Sequence, residues 1–182
     1  MSHATSGELA AGTAHVLASP SNEGRVVLVV RRPAEGEREV LEEAMLDPAL
    51  GLEGDDWLAR RERRNPGVAP DPEAQLTVMN SRVVDLVAGE PGRRPLAGDQ
   101  LYVDLDLGEV NLPAGTRLRV GEAVIEVSAT PHTGCQKFTD RFGLAALRWT
   151  KTDDGRRLRL RGLNARVIEA GAVRPGDAIT KL

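Results

Sequence analysis

The chain has 182 residues, the size of one domain, and a net charge of -3 gives no electrostatic reason to expect nucleic acid as a partner. Aromatics are 3% of the residues against 41% hydrophobic, so the core has to be built from Val, Leu, Ile and Ala, which suits strands that interlock. One cysteine excludes an internal disulfide, and no apolar run approaches the ~18 residues of a membrane span. The start of the chain lacks the basic and apolar stretches of a signal peptide, so the expected setting is cytoplasmic, with no membrane.

In chain order, residues 1–12 are small and polar and read as a flexible tail, with the domain proper expected over 13–182. A short strand is expected at Ala14–Leu17 and a stronger, valine-rich one at Arg25–Val30. The segment Arg32-Pro33-Ala34-Glu35-Gly36-Glu37 reads as a turn, with Glu39–Ala44 returning as the partner strand. Residues 47–75 contain Pro48, Pro66, Pro70 and Pro72 around the run Arg60-Arg61-Glu62-Arg63-Arg64, and read as a long irregular connection.

Leu76–Asn80 is expected as a strand, and Ser81 as the cap of a short helix through Ala88. Strand-sized pieces follow at Gln100–Asp104, Thr116–Val120, Ala123–Ala129, Leu158–Arg161, Asn164–Glu169 and Ala178–Lys181. They are punctuated by Gly98-Asp99, Gly121-Glu122 and Gly176-Asp177, residue types that supply the backbone angles of tight turns. Helical pattern is confined mainly to 81–88 and 135–148. The expected fold is mainly β, a barrel or sandwich with a few short helices.

Chemistry points to the only thiol. Cys135 closes the loop Pro131-His132-Thr133-Gly134 and opens a helical segment, where free backbone N–H groups favour the thiolate form. Lys137 and Arg141 add positive charge, and His132 stands close enough in sequence to exchange a proton. Only three of the 24 basic residues are lysine, which draws notice to Lys137. A thiolate there can attack electrophiles, carry sulfur or ligate a soft metal. The plain alternative is a buried cysteine acting as a small hydrophobe. The spacing His132-x-x-Cys135 is half of a zinc site, but only His3 and His15 remain to complete it. A Cys-His-Asp hydrolase lacks a recognisable oxyanion-hole motif.

These residues resemble the MOSC family, named for the C-terminal domain of molybdenum cofactor sulfurases. The resemblance rests on Gly51-Leu52-Glu53-Gly54-Asp55, Gly98-Asp99, Val110-Asn111-Leu112-Pro113-Ala114-Gly115-Thr116, Gly121 to Val127, His132 to Phe138, Arg161 to Val167 and Gly176-Asp177, in family order over about residues 14–182. It implies a MOSC-type β-barrel and assigns Cys135 to the family's key cysteine, a molybdenum ligand of a pterin cofactor (molybdopterin) in relatives that reduce N-hydroxylated compounds. By motif position it nominates Lys137, Arg161 and Arg166 as partners of the cofactor, with Asn111 and Thr133 as polar contacts; Cys135, with His132 and Lys137 beside it, is the catalytic candidate. Gly134 stands where many members have Pro. The chain cannot also hold a pyridoxal-phosphate domain, so no pyridoxal phosphate is expected, and reduction would need a separate electron-donor protein. Two other readings stay open: a persulfide carrier served by a sulfur-donor protein, and a non-catalytic binding domain.

Overall fold

The computed structural model describes residues 3–182. Its first element is a helix, α1 (Ser6–Leu17), opened by a capping box in which Thr5 and Glu8 satisfy each other's backbone N–H groups. Leu9 and Val16 face inward from it. Two expectations change here. No strand forms at 14–17, and residues 6–12 of the expected tail are helical, because the cap and two buried apolar anchors outweigh a small, polar composition. Met1 and Ser2, also in that tail, lie outside the described residues.

The chain then builds β1 (Glu23–Arg31), β2 (Glu39–Leu41), β3 (Ala44–Asp47) and β4 (Gly51–Leu52). The expected return strand at 39–44 is split: β2 pairs with β1, whereas β3 belongs to a separate small sheet. The 47–75 connection is not wholly irregular. It contains β4, helix α2 (Trp57–Arg64) and a 3-10 turn at Pro72–Ala74. Next come β5 (Leu76–Asn80) and α3 (Ser81–Ala88), whose N-cap is Asn80 rather than Ser81. A 3-10 segment, Pro91–Ala97, leads to β6 (Leu101–Asp104), β7 (Arg117–Val120) and β8 (Ala123–Val127).

Helix α4 (Gln136–Lys151) breaks at Gly143, whose φ of 86° no helix tolerates. A short α5 (Asp153–Arg157) precedes β9 (Leu163–Glu169), β10 (Gly171–Val173) and β11 (Ala178–Lys181). Leu158–Arg161 is not a strand despite its alternation. It is a turn with Arg159 at φ 47°, held there as the Arg159 guanidinium donates to the carbonyls of Leu107 and Leu112.

Seven strands close into a barrel in the order β1-β6-β5-β9-β8-β7-β11, with β11 pairing back onto β1. Only β5 and β6 run parallel; the other barrel pairs are antiparallel. Strands β10, β3 and β4 form the small sheet. The barrel interior is aliphatic, including Leu76, Val78, Leu101, Val103, Ile125 and Ala165. A second core lies outside the barrel, where α1, α3 and α4 pack Leu9, Val83, Phe138 and Phe142 against Met79 and Tyr102. Neighbouring residues of β5 and β6 thus point into different cores, so both strands are buried on both faces. No helix among the described residues is long and apolar enough to cross a membrane.

Candidate functional site

Between β8 and α4 the chain crosses the barrel surface as a strap over residues 129–134. Asn164 of β9 donates to the Thr130 carbonyl and ties down its start. At its end Cys135 is the N-cap of α4; its side chain makes no capping hydrogen bond and is exposed. The helix N-terminus leaves backbone N–H groups unsatisfied and presents partial positive charge to that thiol.

Gly134 has a packing reason. A Cβ there would sit 2.7 Å from Leu147 Cδ1, on the far side of the Gly143 break. The fold-back of α4 therefore brings its second half against the strap.

The thiol borders a cavity of about 710 Å³. Eight basic residues line it (Arg32, Arg38, Arg60, Arg61, Arg63, Lys137, Arg141 and Arg161) against the acids Glu35, Asp56 and Asp71, so its potential is positive. Two buried carboxylates set the geometry of the walls. Asp55, on the loop after β4, grips Arg32 through two contacts of 2.8 Å, and Arg32 also donates to the Gly98 carbonyl at 3.0 Å. Asp99, fully buried after the turn at Gly98, holds Arg161 at 2.7 Å and lies 3.0 Å from His132 Nε2, although the ring N–H does not point squarely at the oxygen. The Arg161 guanidinium also stacks over Phe138, 4.9 Å from the ring centre.

Burial, then Arg161, pushes the His132 pKa below its usual value despite the pull of Asp99; the ring is neutral at neutral pH. Burial alone would raise Asp99, but Arg161 and His132 outweigh it and hold the carboxyl below its usual range. Arg38 is pressed down by burial first, then by Arg141 and Arg32. Arg38 and Arg141 make no ion pair among the described residues; their guanidiniums donate to the Glu37 and Leu96 carbonyls. Neighbouring guanidiniums whose like charges oppose each other form an acceptor for an anion.

A family model of the MOSC domain matches residues 65–180. The chain belongs to the MOSC-domain family. Among solved structures it is similar to the YUAD protein from Bacillus subtilis (TM-score 0.65, 18% identity, 86% of this chain and 94% of that one). YiiM from Escherichia coli aligns at TM-score 0.55 and 23% identity, covering 87% and 69%. YiiM from Geobacillus stearothermophilus gives 0.52 and 16%, covering 87% and 73%. At these identities the likeness shows the shared MOSC fold. No curated protein matches the sequence.

Of the residues nominated from the MOSC motifs, Cys135, His132, Thr133, Lys137 and Arg161 meet at this cavity. Lys137 does so as an exposed ion pair with Glu35. The other two lie elsewhere. Asn111 spends its amide on the carbonyls of Ser21 and Asp106 and accepts Lys181 at its own carbonyl, bracing the loop before β7. Arg166 lies on β9 paired with Glu126 and Glu73, and lines no part of the cavity. Both belong to family motifs, but their side chains are consumed in holding the barrel.

Sequence reasoning missed Arg32, Arg38 and the two buried acids. Asp55 and Asp99 both lie in motif pieces, but Gly98-Asp99 reads as a turn and Asp55 falls in the irregular 47–75 connection; each holds an arginine. Arg38 carried no signal in so arginine-rich a chain. Among the described residues no group of three or more His, Cys, Asp or Glu could hold a metal ion.

Proposed function

We propose that this MOSC-domain protein binds molybdenum cofactor in the cationic cavity, with Cys135 as the protein ligand to molybdenum, and serves in the reduction of N-hydroxylated compounds with electrons from a separate donor protein. One observation carries the reading: the only thiol of the chain is exposed at the edge of a large cavity walled by guanidiniums.

The donor set suits the group. Among the described residues the buried Nε atoms of Arg38 and Arg161 have no hydrogen-bond partner, and the guanidiniums of Arg38 and Arg141, which make no ion pair there, suit the phosphate of an anionic pterin cofactor. A single thiolate suits a metal whose remaining ligands come from the cofactor itself. When bound, the cofactor would supply the two-electron chemistry of reduction. The chain's own residues would do the rest. Arg38 and Arg141 hold the anion, Asp55 and Asp99 keep Arg32 and Arg161 in place, and neutral His132 can donate or accept a proton at the strap.

Metal and pterin analysis of the protein, purified from a host that makes the cofactor, tests this reading. Wild type is expected to carry both molybdenum and pterin, with Cys135→Ala losing the metal. Folded wild type containing neither would overturn the proposal. The same exposed thiol would also suit a persulfide carrier. A one-sulfur mass gain after incubation with a cysteine desulfurase, absent in Cys135→Ala and found in metal-free protein, would transfer the assignment to that role.

A further inference from the structure

A second cavity of about 520 Å³ lies against the strap, and among the described residues only Pro131, His132, Thr133 and Arg161 line both it and the thiol cavity. Cys135 lines the first cavity and not the second. Its size falls within the range of small-molecule pockets. Small and apolar residues (Ala129, Pro131, Gly155, Gly162 and Leu163) form much of its wall, and threonine hydroxyls add hydrogen-bonding groups.

Its charge is one-sided. Lys151, Arg156, Arg159 and Arg161 line it against the single acid Glu109. Asp99 answers Arg161, and Glu109 acts on Arg159, which leaves Lys151 and Arg156. Both are exposed and have no acidic partner among the described residues; the Arg156 guanidinium donates to the Lys151 carbonyl. An apolar hollow with two uncompensated cations suits a molecule with an apolar body and one negative end.

We infer that this second cavity binds a small organic acid, an aromatic or aliphatic carboxylate, separately from the anion held beside Cys135. The site does not depend on cofactor being bound. A carboxylate seated there would lie against strap residues that also line the thiol cavity.

The probe is 2-naphthoate, with uncharged 2-naphthamide as its near-isosteric comparator, titrated by fluorescence into the full chain purified without cofactor. Expected are saturable binding of one 2-naphthoate per chain and affinity for 2-naphthamide about tenfold weaker or less. The double variant Lys151→Glu/Arg156→Glu should weaken 2-naphthoate by at least about tenfold. Ala129→Trp, which places an indole in the hollow from an exposed position, should abolish binding with an unchanged circular dichroism spectrum. Cys135→Ala and Arg38→Glu should leave the affinity as it was. Equal affinity for acid and amide would overturn the inference, as would failure to saturate at millimolar probe. So would a loss in Arg38→Glu that matches the loss in the Lys151/Arg156 variant, since that places the probe in the thiol cavity.

Discussion

Asp99 has no exposed surface and serves two groups at once, Arg161 at 2.7 Å and His132 at 3.0 Å. Because Arg161 is also buried, the carboxylate is the counter-charge that lets a guanidinium stand between the two cavities. Asp99→Asn keeps the shape and removes the charge, stranding the arginine. The expected loss is about 3–5 kcal/mol of stability, measured by urea unfolding, because removing one partner of a buried pair leaves the other uncompensated. Asp55 plays the same part for Arg32. The cationic wall is thus positioned by two carboxylates that do not themselves line the cavity.

Helix α4 is two helices in one stretch of sequence. Gly143, at φ 86°, breaks it, and the second half returns to press Leu147 toward Gly134 in the strap. A Cβ at Gly143 would also stand 2.7 Å from His3 Nδ1. Gly143→Ala is expected to cost roughly 1–3 kcal/mol for a positive-φ, extended backbone that is essentially glycine's alone, with more if the His3 ring cannot move aside. A lowered melting temperature checks the cost. Faster hydrogen exchange in residues 144–151 and in the strap would show that the break positions both.

Across the whole molecule, the barrel and the helical layer meet at the His132–Asp99–Arg161 cluster, so its protonation acts on global stability. His132 has a folded pKa below its ordinary 6.5. Between the two values the unfolded chain binds a proton that the folded chain refuses, so stability rises with pH across that window and is complete above about 6.5. Asp99, held below its ordinary 3.8, contributes stability that is present above that value and is lost as pH falls through its folded pKa. Both act in the same direction. The melting temperature is expected to fall as pH drops below about 6.5, and His132→Asn should flatten the portion of the fall nearest 6.5. An equal slope in the variant would assign the acid loss to other groups.

Most of the barrel was legible in the chain because valine-rich runs and Gly-Asp turns act locally: β1, β5, β6, β7, β8, β9 and β11 each lie at or near an expected strand. The elements that went astray depended on partners far away. Leu158–Arg161 alternates like a strand, but Arg159 is bent by the carbonyls of Leu107 and Leu112, about fifty residues off in sequence. Residues 14–17 look extended by composition, yet belong to a helix that buries Leu9 and Val16 on the barrel's outer core.

The site divides in the same way. By itself the sequence determined the strap's local make-up, since the lone thiol Cys135, its glycine and its charged neighbours lie within a few residues. Only the tertiary structure decided which arginines face it. Twenty-one arginines are indistinguishable as letters; what separates Arg32, Arg38 and Arg161 from Arg166 is whether barrel closure sets each beside the cavity or against a glutamate on the outer wall. Charge becomes function through distance, and in a closed sheet distance is set by strands remote in sequence.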